Sequence, residues 1–296
     1  MELDETQFEK FIGLFSIRPE DFPYNQDVRL NIKSLRQNHV DHQLFFDVLF
    51  FFIDAIKEPE VCYPPSSMSD LKNLFLTIDS SNIDELKQQC FYYYLLKDWG
   101  KSETYADQIL LPFNFRHLID GYYALDHLNF EEALDHFLQP DVLPNFPDKI
   151  LETFYRHDKF YQMIRFVQFV NPPLDTFRKQ ECYTLALARF SFLSAFNFMK
   201  KCMHPLILWE GLLHVILDSN DKDSCKLIVS LPLIEEEIDI MVSVLSSEKE
   251  PLYLDTLLAF LIQSGRIHEA CQLAASNPYL NESPISSALQ KLGVSN

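Results

Sequence analysis

Glycine is scarce in this chain, six residues in 296. Few positions can then take φ > 0 at no steric cost, which argues against hairpin-rich β architecture. Cysteines are present but unpaired in sequence: Cys62, Cys90, Cys182, Cys202, Cys225 and Cys271 stand alone, with no CxxC. Without a secretory leader they read as reduced, mostly buried thiols of a cytosolic or nuclear protein. Long apolar runs are missing too. Leu44 to Ile53 is broken by Asp47 and reaches about half of the ~20 residues a membrane span needs. The opening Glu2, Asp4 and Glu5 are unlike a basic targeting peptide. There is no GxSxG, no HExxH and no complete phosphate loop.

Basic residues are outnumbered, 25 Lys/Arg against 43 Asp/Glu, for a formal charge of −18. That sign repels phosphate backbones and makes direct nucleic-acid binding by the whole domain an unexpected function. The charge is uneven. Residues 1–148 carry 11 Lys/Arg and 26 Asp/Glu, residues 149–204 carry 9 and 4, and residues 205–296 carry 5 and 13. The middle segment is therefore the candidate docking face for an acidic partner, with Arg156, Lys159, Arg165, Arg178 and Lys179 as its named cations. Aromatics are interleaved there, an arrangement that can stack on RNA bases if the rings are exposed. The rings fall on core stripes, so a protein-binding face or plain charge variation is preferred.

Hydrophobic residues make up 47% of the chain, enough for a continuous core. They recur at helical spacing: Phe160, Met163, Ile164, Val167; Leu206, Trp209, Leu213, Ile216, Leu217; Leu254, Leu257, Leu258, Leu261. Breaks fall at Pro64-Pro65, Pro140, Pro144, Pro172-Pro173, Pro205, Pro232, Pro251 and Pro278. The pattern predicts an all-α fold, an irregular α-solenoid of stacked helical hairpins with about fifteen helices. It is read as one domain over 1–296, irregular at Arg18–Val28, looped at Glu58–Ser69 and frayed at 293–296. The apolar runs Leu44–Ile53 and Phe91–Leu96 are expected in the core.

Gln108 to Pro140 is the most informative stretch. One helix ends near His127-Leu128, Asn129 breaks it, and a second starts at once. Asn129 and Glu132 have capping-box spacing, and Ala133 falls where two helices pass closely. The word Asn129-Phe130-Glu131-Glu132-Ala133 returns as Arg266-Ile267-His268-Glu269-Ala270, and in outline as Lys159-Phe160-Tyr161-Gln162-Met163. Gly265 is placed to close a helix in a left-handed turn. Either an irregular repeat or the commonness of Glu-Ala pairs accounts for this likeness.

Leu111-Pro112-Phe113, then Gly121-Tyr122-Tyr123-Ala124-Leu125-Asp126-His127, then Phe130-Glu131-Glu132-Ala133 resemble the α-helical domain of the ELYS family. Residues 84–278 fit that likeness and residues 1–80 match less clearly. The length suits the family's short fungal form. The resemblance implies a structural nucleoporin of the Y-shaped outer ring, located at the nuclear pore of the nuclear envelope and supporting nucleocytoplasmic transport of protein and mRNA. It implies docking on the short arm, against a large propeller–solenoid nucleoporin and a small WD-repeat nucleoporin, with no catalysis, cofactor or membrane insertion. The propeller and the basic AT-hook tail of larger relatives are not matched here. An adaptor solenoid of another assembly, of vesicle-coat or proteasome-lid type, would share the periodicity but not the hairpin wording.

Other constellations are weaker. Gly100-Lys101-Ser102 ends like a phosphate loop but lacks its upstream glycine, and reads as a helix stop before an N-cap at Ser102. His39 and His42 flank Asp41, yet no third metal ligand is near in sequence, so two solvated histidines are expected. Asp126-His127 and Asp135-His136 pair acid with base but lack a nucleophile, and are expected on the hairpin's wet face. Glu235-Glu236-Glu237 with Asp239 reads as a solvated helix start. No catalytic, cofactor or metal site is expected.

Overall fold

A computed structural model gives the fold and describes residues 22–53, 56–219, 222–247 and 250–277, with Phe8, Glu9, Ile12, Gly13, Arg18, Glu20 and Leu280 besides. The predicted frayed tail at 293–296 lies outside the described residues. Among the described residues there are seventeen α-helices, two 3-10 turns and no strand. The protein is an all-α solenoid of paired helices. The chain divides into two compact units, Met1–Pro173 and Leu174–Asn296.

The first unit contains α1 (Gln26–Asn38), α2 (Phe45–Leu49), α3 (Pro59–Cys62), α4 (Met68–Asp79), α5 (Glu85–Lys97), α6 (Ser102–Ile109), α7 (Phe113–Asp126), α8 (Phe130–Phe137), α9 (Pro147–Arg156) and α10 (Phe160–Val170). Helices pack on their successor and on the next but one. Thus α5 meets α6 and α7, α7 meets α8, and α10 meets α8 and α9. The Leu44–Ile53 run forms no single helix. It is α2 followed by a 3-10 turn, Phe50–Phe52. Phe45, Phe46 and Phe50 are fully buried, whereas Phe51 and Phe52 face out. Phe46 stacks on Tyr94 at 3.9 Å and Phe50 on Phe91 at 5.1 Å, so the two apolar runs cover each other. The Glu58–Ser69 segment, expected as loop, contains the single turn α3, and Ser67 caps α4 through Asp70 N.

The second unit contains α11 (Phe177–Ala188), α12 (Phe192–Met199), α13 (Pro205–Ser219), α14 (Lys222–Val229), α15 (Glu235–Ser246), α16 (Pro251–Gln263) and α17 (Ile267–Ser276). Again α11 meets α12 and α13, α13 meets α15, and α16 meets α14, α15 and α17. Trp209, Leu213 and Ile216 on α13 and all four leucines of the α16 stripe lie in its core. At the acidic start of α15, Glu235, Glu236 and Asp239 are solvated as expected, and Glu237 is not. Glu237 is 1% exposed. Both its oxygens accept from Lys200 Nζ at 2.5 Å, and Oε2 also accepts from Ile234 N at 3.0 Å. Burial is tolerated because the carboxylate is paired on both sides.

The repeated words share one turn. Leu128, Asp158 and Gly265 have φ of 59°, 55° and 77°. The next amide, of Asn129, Lys159 or Arg266, donates back to Ala124 O, Phe154 O or Leu261 O at 2.8 Å in each case. This six-to-one bond is the Schellman closure. Four residues on, Ala133, Met163 and Ala270 are wholly buried. The same closure excludes the capping box at Asn129, because its amide is already spent on Ala124 O. The Asn129 side-chain amide instead approaches Glu132 Oε2 at 3.4 Å. Gly100, at φ 63°, ends α5 likewise, but the N-cap of α6 is Lys101, and Ser102 is buried inside the first turn.

Candidate functional site

The family-like hairpin is α7 with α8. Pro112 precedes α7 as its N-cap, and Leu111 is buried while Leu110 and Phe113 are exposed. Arg116 closes the α6–α7 corner by donating to Leu111 O at 2.8 Å, Ala106 O at 2.9 Å and Asp107 Oδ1 at 2.7 Å. A glycine inside α7 is explained by close approach: a Cβ at Gly121 would lie 2.8 Å from two ring carbons of Phe137. Tyr122, Leu125, Phe130 and Ala133 are buried along the same seam.

The acidic residues of α7 point inward, against the expectation of a wet face. Asp126 is 1% exposed. It accepts from Phe45 N at 2.5 Å, Phe46 N at 3.0 Å and the Tyr94 hydroxyl at 2.8 Å. A carboxylate on α7 thus satisfies the orphan amides that begin α2, some eighty positions away in sequence. Burial pushes the Asp126 carboxyl up to about 7, with the Phe45 and Phe46 amides and Tyr94 opposing that rise. His39 is fully buried beside it, its Nε2 3.2 Å from Asp126 O, and burial lowers it to about 4. The reading of His39 and His42 as two solvated histidines on one helix is therefore wrong for His39. The two do not share a helix: α1 ends at Asn38 with His39 as its extended C-cap, and Asp41 and His42 follow with positive φ.

Two more carboxylates complete this polar core. The Asp98 carboxylate accepts from Tyr63 and Tyr123 at 3.0 Å and also from Tyr24. Asp47 binds Arg36 through two bonds of 2.7 and 2.8 Å and receives Leu44 N at 2.8 Å. Burial raises the Asp98 carboxyl, and the three phenols act the other way. Through these bonds the three carboxylates tie α2, the end of α5 and α7 to one another and to the segments around them.

Of the five cations proposed from sequence, Arg156, Lys159 and Arg165 belong to the first unit and Arg178 and Lys179 to the second. Arg156 donates to His39 O at 3.0 Å. Lys159 lies 5.3 Å over the Phe130 ring. Arg165 lies 5.8 Å from the Tyr161 ring and 5.0 Å from that of Phe169. Arg178 pairs with Glu181 at 2.6 Å, and Lys179, 4% exposed, pairs with Asp175. What is presented outward is the strip Tyr161, Arg165, Phe169 on α10, with Tyr161 50% and Phe169 65% exposed. Of the other ten Phe and Tyr rings between residues 149 and 204, Phe154, Phe166, Tyr183, Phe192 and Phe196 are buried, four are half-buried and Phe190 is exposed.

Sequence reasoning missed one cluster. His117 on α7 and His136 on α8 face each other with Nδ1 atoms 2.7 Å apart, and Asp120 lies within reach of both. The two histidines are nineteen residues apart. Only the turn geometry of the hairpin brings them together.

Each unit is built of paired helices, and the first holds a buried polar core. A family model described as "ELYS: Nuclear pore complex assembly" matches residues 43–248. The chain is similar to an uncharacterized protein, ely5, of Schizosaccharomyces pombe, 58% identical over 292 residues, covering 99% of this chain and 98% of that one. It is also similar to Protein ELYS of Xenopus laevis, 26% identical over 166 residues, and of Homo sapiens, 21% identical over 224 residues. Those alignments cover 52% and 71% of this chain but only 7% and 10% of the vertebrate proteins. The chain belongs to the ELYS family of nuclear pore complex assembly proteins, and its place is the nucleus, at the nuclear pore. Among the described residues no helix is long and apolar enough to cross a membrane.

Proposed function

We propose that this chain is a structural nucleoporin of the outer-ring, Y-shaped scaffold, acting by protein–protein docking and performing no catalysis. Its expected neighbours are the large propeller–solenoid nucleoporin of the short arm and the small WD-repeat nucleoporin. The process served is nucleocytoplasmic transport of protein and mRNA. The observation that carries this reading is the family match over 43–248. It begins beside the amides of Phe45 and Phe46 that Asp126 holds, so it takes in the whole clasp between α2 and the hairpin.

Docking is assigned to the α10 strip. An arginine flanked by two exposed rings has the composition of an interface anchor, whereas Arg156, Arg178 and Lys179 are engaged within the chain. The test is co-purification of outer-ring nucleoporins with the chain carrying Arg165→Glu and Phe169→Ala. Loss of those partners from a protein with unchanged helical content supports the assignment. Undiminished recovery places the interface elsewhere.

A further inference from the structure

We propose that His117, His136 and Asp120 form a divalent transition-metal site that cross-links the two helices of the family hairpin, with Zn²⁺ as its best-suited ion. The ligand set is two imidazole nitrogens and one carboxylate oxygen, all within 4.8 Å of one another. Two imidazoles and a carboxylate suit zinc better than the hard cations, which prefer oxygen shells.

The geometry favours an ion over the bare pair. The two Nδ1 atoms are 2.7 Å apart, so without a metal one must donate its only ring proton there to the other. Two protonated rings cannot face each other in this way. An ion replaces that shared proton, with shifts of a few tenths of an ångström to reach tetrahedral spacing. Each ring is also held in place. Phe113 packs edge-on against His117 at 4.0 Å. Glu132 Oε1 stands 4.0 Å from His136 Nε2, the nitrogen not used for the metal, beyond hydrogen-bond length but on the side where an outer carboxylate would sit.

Asp120 is 7% exposed and already bonded. Lys97 sits on Oδ1, and the Tyr93 hydroxyl reaches both oxygens at 3.0 and 3.2 Å. Oδ2 is therefore the oxygen available to an ion. The nearby ammonium opposes a second cation, which sets the affinity below that of an all-thiolate structural site. Three protein ligands leave a fourth position for water.

The site is tested on the full chain, stripped with chelator and titrated with Zn²⁺ by calorimetry at pH 7.5. Ring resonances of the histidines are followed in parallel by NMR. One equivalent should bind and shift the His117 and His136 rings selectively. The His117→Ala and His136→Ala variants should each weaken that binding by about 100-fold or more. Affinity should fall as the pH is lowered, because protons compete with the metal for the ring nitrogens. Absence of saturable binding, or binding unchanged in the double variant, overturns the site. If a variant does not fold, the native spectra decide, since unmoved His117 and His136 rings also overturn it. This outcome is independent of pore docking.

Discussion

Gly121→Ala is the sharpest probe of how the hairpin closes. An added Cβ would lie 2.8 Å from Cδ1 and Cζ of Phe137, well inside van der Waals contact. The ring cannot swing away easily. Phe137 is 1% exposed and is packed edge-on by Tyr122 at 5.7 Å and Phe166 at 5.8 Å. Overpacking of a tight core costs about 1–3 kcal/mol. Replacing a mid-helix glycine by alanine returns roughly 1 kcal/mol of helix propensity. Cε1 of the same ring is nearer still, which puts the overpacking cost in the upper half of its range, so the net expectation is a loss of about 1–2 kcal/mol from the first unit. Urea unfolding should be read on Trp99, in a Trp209→Phe background, because the second tryptophan reports on the other unit. Adding Phe137→Leu removes the clashing ring edge, so the pair should be less damaging than the sum of the singles by at least ~0.5 kcal/mol. A Gly121→Ala protein as stable as the parent, or more stable, refutes a seam fixed by this contact.

Two further perturbations test the polar core and the turns. Asp126→Ala strands two buried amides and the Tyr94 hydroxyl, and should cost at least ~3 kcal/mol in urea unfolding at about 1 or more per orphaned donor; a loss below ~1 contradicts the clasp. Because burial raises the Asp126 carboxyl to about 7, from an unfolded value near 3.9, the stability tied to its protonation is complete below pH ~4. It is lost as pH rises through about 7, up to a ceiling of about 4 kcal/mol at ~1.4 per unit. Asp126→Asn should flatten that decline between pH 5 and 8, and an identical pH profile for both proteins would falsify the assignment. Leu110 is 80% exposed with φ 53°, so Leu110→Gly relieves left-handed strain at little packing cost. It should raise stability by about 1 kcal/mol, read as an increased urea midpoint; a decrease shows that the exposed side chain contributes to the fold.

Much of the fold is legible in the residues, for a definite reason. Leu254, Leu257, Leu258 and Leu261 recur at the helical period, and burial on one face follows from that period alone. Gly265 signals its turn because the left-handed region favours glycine, whereas Leu128 and Asp158 adopt the same conformation without any such mark. The burial of Asp126 is not legible because its partners are main-chain amides at positions 45 and 46, and backbone donors carry no signal in sequence. Glu237 fails for a similar reason: Lys200, which neutralises it, is on another helix. The same applies to His117 and His136, which become neighbours only through a hairpin register set by Gly121 against Phe137. In the basic segment 149–204 the charge excess is plain in the sequence, but the bonds of Arg156, Arg178 and Lys179 to a carbonyl and carboxylates of the chain itself are not.

The most direct measurement is affinity purification of the tagged full chain from cells, with the recovered proteins identified and its position imaged. The account predicts outer-ring nucleoporins as the principal partners and a punctate nuclear rim. Recovery of coat or proteasome-lid subunits instead, with no signal at the nuclear envelope, contradicts it.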